Sequence, residues 1–339
     1  MAYSPLKNLQ IQNREKFSVL EFFNRFKNHL KLTIHTGETS TDSYIVEEGL
    51  HRPGLALAGF SDVYSSHQIQ IVGHTEWNFL ESLPPEKRKQ AFQNLRKFHA
   101  PMWVVTHGQK PHSELIEMCE DLNVPLFSTP LLTHEFFLET NLILEKFFAP
   151  YTKIHGSLVD VNGVGILYIG DSNIGKSECV LSLVERGHRF VADDQVNLVQ
   201  IGNSLIGMAD PTLGHCMEIR GIGIIDIRSM FGIHAVRKSK KIEVIVELSK
   251  EDARCDRTGL SNEFENIMGI KVPRIVIPVT PGKNLTVISE VIANNTLMKA
   301  AGEDTAKNFN DRLLNIIAQK RSGNTLPDSF LDLELSPYE

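Results

Sequence analysis

Short apolar runs alternate with amphipathic stretches through the first 130 residues of the chain. Runs rich in β-branched and aromatic residues predict strands, because such side chains pack well on a pleated surface. Stretches of good helix formers with apolar residues at helical spacing predict helices between them. The alternation indicates a small N-terminal α/β domain, residues 1–130. The predicted strands cover residues 31–37, 67–73, 102–108 and 124–129, and the predicted helices cover residues 86–98 and 113–122.

A connecting helix is predicted over residues 131–150. Its apolar residues recur at helical spacing between Pro130 and Pro150, and proline is disfavoured inside helices. The domain boundary is therefore expected here. Four aromatic side chains of this segment are expected to pack between the two domains: Phe136, Phe137, Phe147 and Phe148.

A second α/β domain is predicted over residues 151–320. Two apolar runs, residues 152–161 and 163–170, are joined at Asn162-Gly163, a dipeptide typical of a type I′ hairpin turn. The second run leads directly into a glycine-rich loop and a helix over residues 176–187. Further apolar runs follow at residues 188–202, 217–227, 241–249 and 274–282, and two helices are predicted at residues 285–301 and 303–320.

Composition narrows the class of protein. The chain has 339 residues, of which 42 % are hydrophobic and 22 % are charged, so two globular domains fit better than a disordered or fibrous chain. A net charge of −6 provides no overall field to attract nucleic acid or an anionic membrane. We find no signal-peptide core and no apolar stretch of about 18 residues, which predicts a cytoplasmic protein without a membrane segment. The tail, residues 321–339, is expected to be mobile or docked on a neighbour.

The spacing of the cysteines and histidines does not indicate a metal site or a disulfide framework. The four cysteines lie far apart without a CxxC pair, which matches neither a disulfide framework nor a zinc knuckle. The histidines are scattered and contain no HExxH pattern. Two of them, His107 at the end of a predicted strand and His112 in the loop that follows, have no obvious partner. We therefore expect reduced cysteines and no histidine-based metal site.

Residues 170–177 match the phosphate-loop pattern GxxxxGK[ST] at every fixed position, between a predicted strand and a predicted helix. Glycines let backbone N–H groups close around phosphate oxygens, and the N-terminus of a helix favours negative charge. Lys176 would neutralise the β- and γ-phosphates, and the Ser177 hydroxyl would ligate Mg²⁺. The predicted binding residues for a nucleotide or another polyphosphate are Gly170, Asp171, Ser172, Asn173, Ile174, Gly175, Lys176 and Ser177.

Two adjacent carboxylates, Asp193 and Asp194, end the next apolar run 17 residues after Lys176. One carboxylate can assist a metal ion, and the other can act as a general base. Adjacent residues of a strand point to opposite faces, so both reach one site only if the strand ends or bulges there. A solvated Asp-Asp turn is the alternative.

Several segments together resemble the bacterial bifunctional HPr kinase/phosphorylase family. They are residues 154–196, which contain the phosphate loop and the aspartate pair, then MEIRGIGIIDIRSMFG, DRTGL and IPVTPGKNLTVISEVIANN, in that order. The run RPGLALAGF is similar to the N-terminal domain of that family, so the resemblance extends to most of the chain. A phosphate loop alone would not identify a family, whereas this combination does.

The resemblance implies that ATP or pyrophosphate donates phosphate to one serine of HPr, the phosphocarrier of the sugar phosphotransferase system. The same site would remove it with inorganic phosphate. The resemblance also implies a catalytic domain similar in fold to phosphoenolpyruvate carboxykinase, and a homo-oligomer, namely a hexamer. It implies catalytic roles for His155, Lys176, Asp194 and Arg257, and Mg²⁺ ligation by Ser177 and Glu218, with Asp193 as a further candidate ligand. The implied dephosphorylation segment is Pro278, Val279, Thr280, Pro281, Gly282 and Lys283.

General chemistry gives these assignments a rationale. Asp194 as general base can accept the serine proton during phosphorylation and return it during dephosphorylation. His155, expected on the strand paired with the one that feeds the phosphate loop, can reach the phosphates or tune Asp194. Glu218 lies in an apolar run, where burial is costly unless the carboxylate meets a cation. Arg257 and Lys283 can supply positive charge to the transferring phosphoryl group.

Three positions depart from the family pattern. Asn173 stands where glycine is usual, and asparagine tolerates a left-handed backbone better than most residues. Thr280 and Lys283 stand where arginines are usual, so bidentate phosphate contacts are lost and the phosphorylase direction is expected to be the weaker one. Two other functions stay open from the sequence: a carboxykinase-like kinase of a small metabolite, and a regulatory module that senses nucleotide without turnover.

Overall fold

The computed structural model describes residues 6, 9–36, 42–210, 212–250 and 263–321. These residues form two compact units. Gln12–Pro150 is the N-terminal unit, and the described residues before and after it together form the C-terminal unit. Both units are mixed α/β, as predicted. Within these ranges, no helix has the length and apolar character needed to cross a membrane. The predicted mobile tail lies outside the described residues except for Arg321.

The N-terminal unit is built on a sheet of largely parallel strands. Its described elements are β1 Phe17–Ser18, α1 Val19–Phe26, β2 Thr33–Thr36, β3 Tyr44–Ile45, β4 Leu50–His51, α2 Gly54–Leu57, β5 Ile69–Val72, α3 His74–Ser82, α4 Pro85–Gln93, β6 Trp103–Val105, α5 Ser113–Asp121, β7 Leu126–Ser128 and α6 Thr133–Phe148. The strand order is β2-β7-β6-β5-β4. Strands β4 to β7 run parallel, and β2 is antiparallel to β7. Strands β5 and β6 are buried throughout, as expected for a parallel sheet covered on both faces.

Helix α6 belongs to the N-terminal unit. Phe136 and Leu144 are fully buried in a core with Phe17 and Phe22, and the other three aromatic residues of the helix pack against that core. The rings of Phe17 and Phe147 stack with centroids 3.7 Å apart. The aromatic residues that the sequence analysis assigns to an interdomain contact therefore contribute to the core of this unit.

The C-terminal unit contains the predicted phosphate loop. Its described elements are β8 Tyr151–His155, β9 Ser157–Val161, β10 Val164–Gly170, α7 Lys176–Glu185, β11 Arg189–Ala192, β12 Gln195–Ile201, β13 Ser204–Ala209, β14 Cys216–Ile219, β15 Gly223–Asp226, α8 Ile227–Phe231, β16 Ser239–Lys241, β17 Val244–Ser249, β18 Glu263–Ile267, β19 Ile270–Pro278, α9 Leu285–Ala300 and α10 Thr305–Arg321, with a short 3₁₀ turn at Ile233–Ala235. The predicted turn at Asn162-Gly163 is confirmed, because both residues have positive φ and join the antiparallel pair β9 and β10.

One edge of the main sheet collects the ends of five strands. The strand order is β11-β9-β10-β17-β19-β18, and β10, β17 and β19 run parallel. Strand β9 is antiparallel to both β10 and β11, so its first residue lies at the edge where β10 and β11 end. The five strand ends at this edge are Ser157, Gly170, Ala192, Ser249 and Pro278. We call it the P-loop edge.

The apolar run 152–161 divides between two sheets, which corrects the sequence analysis. Strand β8 pairs with β12 in a second sheet of order β16-β13-β12-β8, whereas β9 pairs with β10. Gly156 lies at the crossing, and a Cβ atom there would come within 2.5 Å of the carbonyl oxygen of Tyr168. His155 is therefore not on the strand paired with β10. Its register partner is Gln195 of β12.

Candidate active site

The phosphate loop connects the buried strand β10 to α7 through three positive-φ residues. Gly170 has φ 139° and Gly175 has φ 102°. A side chain on Gly170 would place Cβ only 2.5 Å from the carbonyl oxygen of Leu248. Asn173 has φ 67°, so asparagine occupies the left-handed conformation that the sequence analysis expects it to tolerate. The loop therefore has the backbone that its glycine pattern predicts.

Lys176 begins α7 and is buried against the loop it follows. Its Nζ donates hydrogen bonds to the carbonyl oxygens of Gly170 at 3.0 Å and Asp171 at 2.9 Å. Burial lowers the pKa of Lys176, and the nearby carboxylates, Asp193 first among them, oppose that shift. The ammonium group is thus held at the phosphate loop, where an anionic ligand would compensate its desolvation.

Asp193 connects the phosphate loop to the turn between β11 and β12. Its Oδ2 accepts a hydrogen bond of 2.8 Å from Ser177 Oγ, and its Oδ1 accepts one from Ser157 Oγ. The carboxylate is 5 % exposed, and burial raises the pKa of Asp193 while the two serine hydrogen bonds lower it. Sequence reasoning missed Ser157. The only sequence signal is a lone hydroxyl at the start of a buried apolar strand.

Asp194 faces a different partner from Asp193. Strand β11 ends at Ala192 and β12 begins at Gln195, so Asp193 and Asp194 lie in the turn between them. The strand therefore ends before the two carboxylates, which is a condition under which both can reach one site. Asp194 is exposed, and its Oδ1 lies 3.0 Å from Nδ1 of His155. Its φ of 62° is unusual for a residue other than glycine, and its carbonyl oxygen accepts a hydrogen bond from the N–H of Gly156. The two adjacent carboxylates therefore have different partners. Asp193 accepts a hydrogen bond from Ser177 of the phosphate loop, and Asp194 lies beside His155.

Glu218 lies on the exposed face of β14, so the sequence argument from its burial is wrong. It alternates with the buried residues Met217 and Ile219, which share a core with Val180 of α7. The period of two places every second residue on the outer face, and Glu218 is one of these. Across the described ranges, no three His, Cys, Asp or Glu side chains form a group that could hold a metal ion.

The segment Pro278–Lys283 follows β19 at the P-loop edge. The N–H of Val279 donates to the carbonyl oxygen of Ser249 at 2.8 Å, and the N–H of Lys283 donates to that of Thr280 at 3.1 Å. Strand β19 lies two strands from β10, or roughly 10 Å at the usual strand spacing. The turn therefore lies on the same edge as the phosphate loop. Arg257 lies outside the described residues.

The geometry defines a class of protein. A phosphate loop, a buried carboxylate bonded to its serine and a carboxylate–histidine pair meet at one edge of an α/β sheet. This arrangement is typical of phosphotransferases that bind a nucleotide on a phosphate loop.

Comparison with known proteins identifies the family. Residues 17–144 match the family model described as HPr Serine kinase N terminus, and residues 146–313 match HPr Serine kinase C-terminal domain. The HPr kinase/phosphorylase of Chloroherpeton thalassium is 45 % identical over 284 residues, which are 83 % of each chain. That of Leptospira biflexa is 40 % identical over 308 residues, 89 % of this chain and 95 % of the relative. The chain belongs to the HPr kinase/phosphorylase family, as the resemblance implies.

A solved structure gives a partial match. The HPr(Ser) kinase/phosphatase from Coxiella burnetii is 35 % identical, and the match covers 46 % of this chain and 97 % of that chain with a TM-score of 0.42.

Proposed function

We propose that this chain transfers a phosphoryl group from ATP or pyrophosphate to a serine of HPr, and that inorganic phosphate removes it at the same site. The observation that carries the proposal is the Asp193-Asp194 turn, because it links Ser177 of the phosphate loop to the His155–Asp194 pair. The relatives from C. thalassium and L. biflexa are both named HPr kinase/phosphorylase, which supports HPr as the substrate.

Lys176 and the loop backbone hold the phosphates of the donor in this proposal. The loop of residues 170–175 presents its N–H groups together with the N-terminus of α7, a favourable place for negative charge. Nζ of Lys176 already lies at the loop, so it can move from two carbonyl acceptors to a phosphate oxygen with little displacement. The lysine then offsets the charge that develops on the leaving phosphate.

Asp194 acts as the general base. Its carboxylate accepts the proton of the serine hydroxyl as that oxygen bonds to phosphorus, while the bond from phosphorus to the leaving phosphate oxygen breaks. In the reverse direction inorganic phosphate attacks phosphoserine, the serine oxygen leaves with the proton from Asp194, and pyrophosphate is released. His155, whose Nδ1 lies 3.0 Å from Oδ1 of Asp194, orients this carboxylate.

Mg²⁺ is proposed as the metal that accompanies the nucleotide. Ser177 and Asp193 supply adjacent hard oxygen donors, and Mg²⁺ usually takes one or two carboxylates together with substrate phosphates and waters. The carboxylate of Asp193 is buried and accepts hydrogen bonds from the hydroxyls of Ser157 and Ser177, and a cation would offset the cost of burying its charge. When bound, the metal neutralises phosphate charge. Glu218 is retained as a weaker candidate ligand, since its strand packs against α7.

The segment Pro278–Lys283 would hold the attacking phosphate. Its position at the P-loop edge supports this assignment, and Arg257 is proposed to add positive charge there. Threonine carries no charge at position 280, and lysine at 283 is a point charge rather than a bidentate fork. We infer that the enzyme favours the kinase direction.

Assembly is proposed to be homo-oligomeric, with a hexamer as the expected state. Helix α10 exposes a row of large apolar side chains, a surface that a second copy of the chain would cover. They are Phe309, Leu313, Leu314, Ile316 and Ile317. We also propose a cytoplasmic enzyme that binds neither membrane nor nucleic acid.

The test is transfer of label from γ-labelled ATP, with Mg²⁺, to purified HPr. We expect label on HPr, and none on an HPr variant whose acceptor serine is alanine. Label in a pool of small metabolites instead of HPr would favour the carboxykinase-like function, and nucleotide binding without any transfer would favour a sensor.

A further inference from the structure

A cavity of about 620 Å³ lies in the C-terminal unit where strands β17 and β19 begin. Both strands end at the P-loop edge, so the cavity is at the opposite end of the sheet and the proposed phosphotransfer does not use it. The turn before β13, the end of α9 and the beginning of α10 complete its walls. We call it the β19 cavity, because residues 270–276 of that strand line it. Its volume is in the range of sites that bind ligands.

Part of the lining of the β19 cavity is apolar. Leu205, Ile242 and Val272 line it and belong to the core beneath it. Phe264 of β18 also lines it, and this large aromatic side chain is 56 % exposed. Folded proteins leave few voids larger than a water molecule, and burial of exposed apolar surface is favourable. The lining therefore suits an occupant that carries apolar side chains.

The charged residues of the lining leave an excess of positive charge. Lys241 and Lys271 are exposed, and neither has an ion-pair partner among the residues that the structure describes. Glu263 is the one exposed carboxylate of the described lining that has no such partner either. The charged lining residues that already take part in an ion pair are Glu243, Arg274 and Lys299. Two lysines against one carboxylate favour an occupant with acidic side chains.

The tail of this chain contains a segment with both properties. Residues 330–335 read FLDLEL, in which Asp332 and Glu334 alternate with leucines. In an extended chain this period of two separates the leucines from the carboxylates, with one set on each side. No lysine or arginine follows Arg321 in the sequence, so the whole tail after that residue is acidic. It also lies beyond residue 313, where the match to the family model ends.

The tail is long enough to return to the β19 cavity. Helix α10 begins at the cavity, because Ala306 is one of the lining residues. The helix has 17 residues and is therefore about 25 Å long. Residues 322–329, which separate the helix from the FLDLEL segment, can span up to about 26–29 Å when extended. The chain that leaves the far end of α10 can thus bring residues 330–335 back to the point where the helix begins.

We propose that residues 330–335 of the tail dock in the β19 cavity of the same chain. The leucines contact the apolar part of the lining, and Asp332 and Glu334 face Lys241 and Lys271. The docked segment connects α10 to strands of both sheets, so it stabilises the C-terminal unit. The phosphate loop lies at the other end of the main sheet and stays free for its ligand.

The test is photo-crosslinking in the full-length protein that carries Phe264→benzoylphenylalanine. Trypsin cuts after Arg321 and releases residues 322–339 as one peptide, because no later lysine or arginine is present. We expect a crosslink to this peptide, in a band that runs at the monomer mass on a denaturing gel. Ile222→benzoylphenylalanine, at a 73 % exposed position between β14 and β15, is the control and should not link to the peptide. A link at the dimer mass would assign the cavity to a second copy, and the absence of any link to residues 322–339 would leave the tail undocked. Either result would overturn the proposal.

Variants of the crosslinking protein test which contacts hold the tail. Leu333→Asp should lower the yield of the crosslink about tenfold, because it replaces a buried leucine of the docked segment with a charge. Asn324→Asp adds the same charge outside that segment and should leave the yield unchanged. Lys271→Glu should also lower the yield, because it reverses the charge that faces the carboxylates. A yield that stays the same in both Leu333→Asp and Lys271→Glu would show a nonspecific contact and would contradict the proposal.

Discussion

Ser177 donates a hydrogen bond of 2.8 Å to Asp193, which links the first turn of the phosphate-loop helix to the carboxylate turn of a neighbouring strand. Asp193 is buried and also accepts from Ser157, so its position is fixed from both sides. Asp194, the next residue, is thereby held beside His155. This one contact makes the phosphate loop and the proposed general base parts of the same site.

Lys176→Ala should abolish nucleotide binding and transfer. Without the ammonium group the β- and γ-phosphate charge is uncompensated, which costs at least about 2 kcal/mol, or roughly 30-fold in affinity. Isothermal titration with ATP and Mg²⁺ measures the loss of affinity. Lys87→Ala, at an exposed position of helix α4 in the N-terminal unit, is the control. Unchanged affinity and rate in Lys176→Ala would remove the loop from the mechanism.

Ser157→Ala should loosen Asp193. The variant removes one of two hydroxyl donors to a buried carboxylate, a loss of about 1–3 kcal/mol in unfolding free energy. The Ser157→Ala variant should also need a higher concentration of Mg²⁺ to reach half of its maximal kinase rate. Ser182→Ala in α7 is the control. A stability loss with an unchanged Mg²⁺ requirement would mean that Ser157 supports only the fold.

Glu290→Gln should destabilise the C-terminal unit in a pH-dependent way. Hydrogen bonds from Arg186 and His188 lower the pKa of Glu290 from 4.5 to about 2. A depressed pKa in the folded state stabilises the protein above the ordinary pKa, and that contribution is lost as the pH falls toward the depressed value. The difference in thermal midpoint between wild type and variant should be constant near neutral pH and shrink below 4.5. A difference independent of pH would contradict the electrostatic origin.

Thr280→Arg combined with Lys283→Arg should strengthen phosphorolysis with little change in the kinase rate. Two anions must approach each other in the reverse reaction, and arginine forks hold phosphate better than a threonine and a lysine. Pyrophosphate release from phospho-HPr, measured across phosphate concentrations, provides the test. Saturation of the native enzyme at low phosphate, with no gain in the double variant, would show that the segment is not limiting.

The parts of the site that follow from local sequence were predictable. The phosphate loop and the Asn162-Gly163 turn depend on φ preferences of neighbouring residues, and both have the expected backbone. The division of the run 152–161 between two sheets was not predictable, because it depends on which distant strands pair with each half. The same reason explains the missed contact of Ser157 with Asp193. The exposed position of Glu218 follows instead from the period of two along β14. The ring of His107 lies beside Thr133 and His74, which belong to other connections of the sheet, so no local pattern indicates these contacts.

The central claim is that one carboxylate serves both directions of transfer. The most direct measurement compares Asp194→Asn and Asp193→Asn for phosphorylation of HPr by ATP and for phosphate-dependent release of pyrophosphate. We predict that Asp194→Asn slows both reactions by about 10²- to 10⁴-fold with nucleotide affinity largely intact, whereas Asp193→Asn acts mainly by raising the Mg²⁺ requirement. Loss of only one direction in Asp194→Asn, or identical rates and Mg²⁺ dependence in the two variants, would contradict the account.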